Sequence, residues 1–96
     1  MFRMKVYRVK GEVLVAVCDA ELVGRTFREG ELKLEVKEDF YGKEAGEEEV
    51  KAALRNATIA NITGERAVKL AISMGIVDKD KVLKIGGCWH AQMVVM

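Results

Sequence analysis

An unbroken apolar segment, VLVAVC from Val13 to Cys18, constrains the fold more than any other feature of the sequence. A strand without polar alternation is typical of the interior of a sheet, where both of its faces are covered. The preceding segment FRMKVYRV alternates apolar and polar residues, which predicts a half-buried strand. Lys10-Gly11 between the two suits a tight hairpin turn, because glycine accepts a positive φ. The sequence therefore predicts a β-hairpin whose second strand lies inside a larger sheet.

The hydrophobic period changes from strand-like to helix-like at Glu47. Before this point, ELKLEVK from Glu31 to Lys37 alternates and predicts a third strand with one solvent-facing side. The DFYGKEAG that follows predicts a loop with Phe40 and Tyr41 tucked beneath it. After Glu47, one helical stripe consists of Val50, Ala53, Leu54 and Ala57. A second, buried helix is predicted from about Gly64 to Met74.

The last third of the chain is predicted to return to the sheet. KVLKI predicts a short strand, Gly86-Gly87 a sharp turn, and WHAQMVVM a final strand. A single helical turn is predicted at DAELVG, with Asp19 as its cap. The resulting order β-β-turn-β-α-α-β-β indicates an α+β fold, in which two helices pack on one face of a largely antiparallel sheet. Residues 1–96 are expected to form one compact domain.

The composition limits the classes of function. Half of the residues are hydrophobic and about a third are charged, as in globular proteins. No apolar segment is long enough to cross a membrane and no signal peptide is recognised, which predicts a cytoplasmic protein without a Cys18–Cys88 disulfide. The absence of Pro and the scarcity of Asn and Gln favour a thermophilic host. An acidic stretch from 29 to 49 argues against purely electrostatic nucleic-acid binding.

The segment IGGCWHAQ, from Ile85 to Gln92, contains the only Trp, the only His and the only Gln of the chain. On a strand, successive side chains point to opposite faces. Cys88, His90 and Gln92 are therefore predicted to share one face, with Trp89 on the other.

Three interpretations of this polar face remain open. A zinc site would combine Cys88 and His90 with Cys18, with or without Asp19, because zinc needs three or four protein ligands. A nucleophilic thiol would be Cys88, activated by His90. In the third interpretation Cys88 packs as a small hydrophobic residue, while His90 and Gln92 bond to loop backbone and have a structural role.

Four longer segments carry a family resemblance: EVLVAVCDAELVGRTFREG, DFYG, ATIANITGERAVKLA and KIGGCWHAQ. They span nearly the whole chain in order, and they resemble an archaeal family catalogued as domain of unknown function 424. The resemblance implies an archaeal, cytoplasmic, single-domain protein, and it implies no particular reaction. The family's motifs fall on Cys18, Asp19, Gly24, Thr58, Asn61, Gly64, Glu65, Arg66, Gly86, Gly87, His90 and Gln92. Cys88 departs from the family pattern, which weakens the metal and thiol interpretations.

The main site hypothesis is an anion pocket at the motif from Ala57 to Arg66, which is predicted to join the two helices. Free amides at the start of the second helix and the fixed charge of Arg66 favour an anion. The predicted pocket consists of Thr58, Asn61, Arg66, Gly86, Gly87, His90 and Gln92. The alternative is that Arg66 and Glu65 pair with neighbouring residues and lock the helix junction.

A second candidate surface lies on the first strand. Arg3, Lys5 and Arg8 can contact a phosphate backbone while Tyr7 stacks on a base, as in proteins that bind single-stranded nucleic acid. The alternative is an ordinary solvent-facing strand of a heat-adapted protein.

These features support three functional hypotheses. The first is a non-enzymatic binding module for RNA or a phosphate-bearing small molecule, without a cofactor, a bound metal or a membrane. The second is a small hydrolase or transferase that uses His90 with Cys18 or Asp19. The third is a protein-interaction subunit, for which an exposed apolar patch beside Tyr41 or Trp89 would be the sign. Nothing in the sequence sets the oligomeric state.

Overall fold

The structure, a computed structural model, describes residues 1–95. Its strands are β1 (Phe2–Val9), β2 (Glu12–Asp19), β3 (Thr26–Glu29), β4 (Leu32–Glu35), β5 (Lys43–Ala45), β6 (Ile59–Thr63), β7 (Leu83–Ile85) and β8 (Cys88–Val94). Its helices are α1 (Glu38–Tyr41), α2 (Glu47–Arg55) and α3 (Glu65–Ser73), with single 3-10 turns at Ala20–Leu22 and Lys79–Lys81.

The larger sheet has the strand order β5-β1-β2-β6-β8-β7, and β3 and β4 form a separate hairpin. Neighbouring strands are antiparallel except β2 and β6, which are parallel. The two longer helices pack on one side of the sheet, the helix face, over a core that includes Val15, Val17, Val50, Leu54, Ile62 and Val68. The predicted α+β class, with two main helices on one face of a largely antiparallel sheet, is confirmed.

The opposite side of the sheet, the outer face, is partly covered by the segment 20–41. Val36 and Tyr41 from this segment pack against Ala16 and Cys18 of β2. Both faces of β2 are therefore buried, as its unbroken apolar sequence predicts. None of the helices within residues 1–95 is long and apolar enough to cross a membrane.

The predicted helix junction between Ala57 and Arg66 is wrong, because most of this segment forms the central strand β6. Ala60 and Ile62 point into the core of the helix face, whereas Asn61 and Thr63 point to the outer face. Alanine, asparagine and threonine give a weak strand signal in isolation. Here pairing with β2 on one side and β8 on the other satisfies the backbone and overrides that local preference.

Two further segments differ from the sequence prediction. Thr26–Glu29 is a strand, because it pairs with the predicted strand at Leu32–Glu35 across a turn that contains Gly30. The predicted loop contains the end of α1 and the short strand β5, which extends the sheet along β1. The burial of Tyr41 is as predicted, and it places this residue beneath the chain and against the outer face.

Candidate functional site

Three rows of side chains cross the outer face in register, each with one residue from β1, β2, β6 and β8. The first row is Arg3, Cys18, Thr63 and His90, the second is Lys5, Ala16, Asn61 and Gln92, and the third is Tyr7, Leu14, Ile59 and Val94. The first row lies largely under the segment 20–41 and is called the closed half. The third row is partly exposed and is called the open half.

In the closed half and the adjoining second row, five polar side chains form one directed hydrogen-bond chain. The Tyr41 hydroxyl donates to Asn61 Oδ1 at 2.8 Å, so its oxygen has to accept the hydrogen of Thr63 Oγ1, also 2.8 Å away. Thr63 Oγ1 then accepts from His90 Nδ1 at 3.0 Å, because its own hydrogen is already used. His90 Nε2 is left to accept from Gln92 Nε2 at 3.3 Å. These partners assign His90 as a neutral ring with its hydrogen on Nδ1.

Burial favours the neutral forms of His90 and Tyr41, the two titratable members of this chain. It lowers the pKa of His90 below the ordinary 6.5, and it is the main cause that raises the pKa of Tyr41 to about 12. Every buried side-chain nitrogen or oxygen in the described part of the chain has a hydrogen-bond partner. His90 and Gln92 therefore share a face as alternation predicts, but His90 bonds to Thr63 rather than to loop backbone.

Neither thiol has the environment of a reactive or metal-binding group. Burial raises the pKa of Cys18 to about 12 and also raises the pKa of Cys88. Both cysteines are free, and with β6 between their strands they are roughly 10 Å apart, too far for a disulfide. Within residues 1–95 no three His, Cys, Asp or Glu side chains are placed to hold a metal ion. The structure thus assembles neither the zinc set Cys18, Cys88 and His90 nor an activated thiol.

The start of α3 is an anion site that the chain's own Asp19 fills. Asp19 Oδ1 accepts the N–H of Ala67 at 2.8 Å, and Oδ2 accepts the N–H of Arg66 at 3.1 Å. Gly64 makes room for this carboxylate, since a Cβ there would lie 2.5 Å from Asp19 Cγ. Burial raises the pKa of Asp19, and the two backbone hydrogen bonds oppose that effect. The prediction that Asp19 caps the turn directly after it is wrong.

Arg66 is likewise bonded within the protein. Its guanidinium pairs with Glu21, lies 3.8 Å from Asp19 through Nε, and donates to the carbonyl of Met1 at 3.2 Å. Arg66 belongs to the helix layer, where it lies over the ring of Phe2, whereas His90 projects from the outer face. The two residues at the centre of the predicted anion pocket are therefore on opposite sides of the sheet.

The other members of the predicted pocket also have structural partners. Gly86 and Gly87 form a two-residue hairpin turn with φ of 57° and 83°, and the N–H of Gly86 donates to Glu29 Oε1 at 3.0 Å. Thr58 lies at the far end of β6, where its Oγ1 accepts the N–H of Val13 at 2.8 Å. The structure brings Asn61, His90 and Gln92 together on the outer face. It leaves Thr58, Arg66 and the Gly86-Gly87 turn outside this group.

The predicted nucleic-acid residues of β1 hold α1 in place. Arg3 Nε donates to the carbonyl of Gly42 at 2.7 Å, and Lys5 Nζ donates to that of Asp39 at 3.4 Å. The Tyr7 hydroxyl donates to the carbonyl of Phe40 at 2.8 Å. These bonds fix the helix that carries Tyr41 into the hydrogen-bond chain, so their first role is structural.

An apolar groove of about 470 Å³ lies on the open half. It is lined by Tyr7, Val9, Lys10, Glu12, Leu14, Phe40 and Ile59. Alternation predicts that Val9 and Leu14 share a face with Tyr7, but it cannot show which part of that face stays uncovered. Sequence reasoning therefore missed this surface.

Comparison with known proteins agrees with this fold. A family model described as protein of unknown function matches residues 7–96. The chain belongs to the DUF424 family. The structure is similar to the crystal structure of an uncharacterized conserved protein from Methanopyrus kandleri, with a TM-score of 0.78 and 22% sequence identity over 96% of this chain and 89% of that chain. At this identity the likeness shows the fold alone, and no curated protein matches the chain.

Proposed function

We propose that this DUF424 protein is a non-enzymatic module that binds single-stranded RNA, or a ligand with the same base and phosphate groups, on the open half. The apolar groove beside Tyr7 and Phe40 carries this proposal. Its volume of about 470 Å³ is within the range of pockets that hold small ligands. The side chains that looked catalytic are each engaged by other groups, which favours binding over catalysis: His90 bonds to Thr63, and Asp19 accepts the backbone N–H groups of Arg66 and Ala67.

The groove has the surface chemistry that nucleobases use. Bases bind proteins through flat apolar contacts and through hydrogen bonds to their edges. The rings of Tyr7 and Phe40, with centroids 5.7 Å apart, line the groove together with Leu14 and Ile59.

Cations lie around the end of the sheet where the groove opens. Lys10 and Glu12 both line the groove, while Arg8 and Arg55 are exposed at the same end of the sheet but on its helix-face side. Exposed cations at this end of the sheet, beside an apolar groove, suit a strand whose phosphates remain in water while its bases are buried. A cytoplasmic location and a thermophilic host are part of this proposal and stay predictions.

Anisotropy titration of labelled ten-nucleotide RNAs at two salt concentrations tests the proposal. Val9→Glu places a negative charge on an exposed residue of the groove and is expected to weaken binding about tenfold. Leu83→Glu is the matched control, because Leu83 is similarly exposed (55% against 62%) but lies on β7 at the other edge of the sheet. Absence of saturable binding at micromolar RNA, or equal weakening by both variants, would reject the proposal.

A protein partner is a second candidate, and three exposed valines favour it. Val9, Val94 and Val95 are 62%, 63% and 60% exposed at the same end of the sheet, an apolar content typical of the centre of a protein interface. Sedimentation velocity tests the simplest case, self-association through the open half. That case predicts a dimer at high protein concentration that Val9→Glu, but not Leu83→Glu, converts to monomer.

A further inference from the structure

The turn between β1 and β2 has a residue with an unfavourable backbone conformation. Lys10 and Gly11 have φ of 50° and 82°, which is the geometry of a two-residue type I′ turn. Such turns favour Asn-Gly, because asparagine tolerates a positive φ better than other residues with a side chain. Within residues 1–95, Lys10 is the only non-glycine residue with a positive φ.

The conformation of Lys10 opposes stability. An L-residue other than Gly, Asn or Asp is disfavoured in the left-handed region, because its Cβ lies too close to the following carbonyl oxygen. No ion pair in the described part of the chain includes Lys10, so its ammonium group does not offset the unfavourable backbone conformation. Backbone strain of this kind often accompanies a binding function of the strained residue.

We propose that Lys10 is the residue that contacts the ligand's phosphate. It is a cation that lines the groove of the open half, beside Glu12, and it lies in the turn that joins β1 to β2. This inference rests on the proposed function and deepens it. The ligand unit is a nucleotide whose base lies against Tyr7 and Phe40 and whose phosphate pairs with Lys10.

The substitution Lys10→Asn separates the backbone strain at this position from the proposed contact between its side chain and the phosphate. Asparagine suits the turn, so the melting temperature is expected to rise by a few degrees. The loss of one phosphate contact is expected to weaken RNA binding by about three- to tenfold at low salt and to lower the salt slope by about one. Lys10→Arg retains the charge and is expected to bind within about twofold of wild type.

Lys43→Asn is the matched control, because Lys43 is exposed on β5 away from the groove. It is expected to leave both the affinity and the salt slope unchanged. If Lys10→Asn binds RNA as wild type does while Val9→Glu does not, the assignment of Lys10 is wrong and the groove proposal stands. If wild type binds no RNA, both the groove proposal and the assignment of Lys10 are wrong. A lower melting temperature of Lys10→Asn would contradict the assigned backbone strain.

Discussion

The closed and open halves of the outer face are built from the same four strands, but they use their side chains in opposite ways. In the closed half, rare polar residues bond to one another beneath a cover. In the open half, ordinary apolar residues line an uncovered groove. The difference teaches that an unusual residue type in a sequence identifies where hydrogen bonds have to be made, which need not be where a ligand binds.

The largest effect is expected at Asp19, which follows the closed half and caps α3. Asp19→Ala leaves two amides of α3 without their partner and removes one of the partners of the Arg66 guanidinium, and is expected to reduce the free energy of unfolding by about 2–4 kcal/mol. Urea denaturation measures this. Glu21→Ala removes only an exposed partner of Arg66 and is expected to change the free energy of unfolding by less than about 1 kcal/mol. Similar losses in the two variants would contradict the assigned cap.

The next effect compares two tyrosine hydroxyls, one in each half. Tyr41→Phe leaves Asn61 and Thr63 without a buried partner and is expected to destabilise the protein by about 1–3 kcal/mol. Tyr7→Phe removes one partly exposed bond to the carbonyl of Phe40 and is expected to cost roughly 0.5–1 kcal/mol. The reverse order in thermal denaturation would show that the two halves do not differ as described.

A smaller effect should appear as a dependence of stability on pH. The folded pKa of His90 is below its ordinary 6.5, so the unfolded state binds more protons as pH falls through that value. The contribution of His90 is therefore present above about pH 6.5 and is lost as pH falls towards the folded pKa. The stability difference between wild type and His90→Gln is expected to grow from pH 5 to pH 7.

The difference in stability between wild type and His90→Gln isolates the contribution of His90, because both proteins contain Asp19. The raised pKa of Asp19 acts in the opposite direction, since its contribution to stability decreases as pH rises. Nitrogen NMR at pH 8 supplies an independent check and is expected to show His90 with its hydrogen on Nδ1. The Nε2–H form would contradict the direction of the hydrogen-bond chain.

The smallest effect is expected in the open half. Val94→Ser changes an exposed side chain without a buried partner and should alter the free energy of unfolding by no more than about 0.5 kcal/mol. A loss above about 1 kcal/mol would mean that this end of the sheet is packed more tightly than its exposure indicates.

Alternation and turn chemistry were sufficient to predict much of the fold. They located β1, β2, β4, β7 and β8, both longer helices and the two-sided burial of VLVAVC. They failed at β6, because ATIANIT has small and polar residues whose strand conformation depends on pairing with β2 and β8. Such pairing is tertiary information that a local pattern does not contain.

The site was harder to predict for the same reason. The sequence identifies Asp19 as a capping residue, but the helix that it caps, α3, starts at Glu65, far along the chain. Arg66 and His90 were both singled out, yet nothing in their spacing shows that a sheet separates them. The groove depends on which part of the outer face the segment 20–41 leaves uncovered, and that is set by how α1 docks on β1.

The parallel pairing of β2 with β6 has a consequence for how the chain folds. The β1–β2 hairpin is local and can form within microseconds, whereas Val13 and Thr58, which bond at the start of the parallel pair, are 45 residues apart. Closing that loop is slow compared with hairpin formation. Until then the most apolar strand of the protein has an unpaired edge, which can pair with another chain. Refolding should therefore give a lower yield of monomer as protein concentration increases.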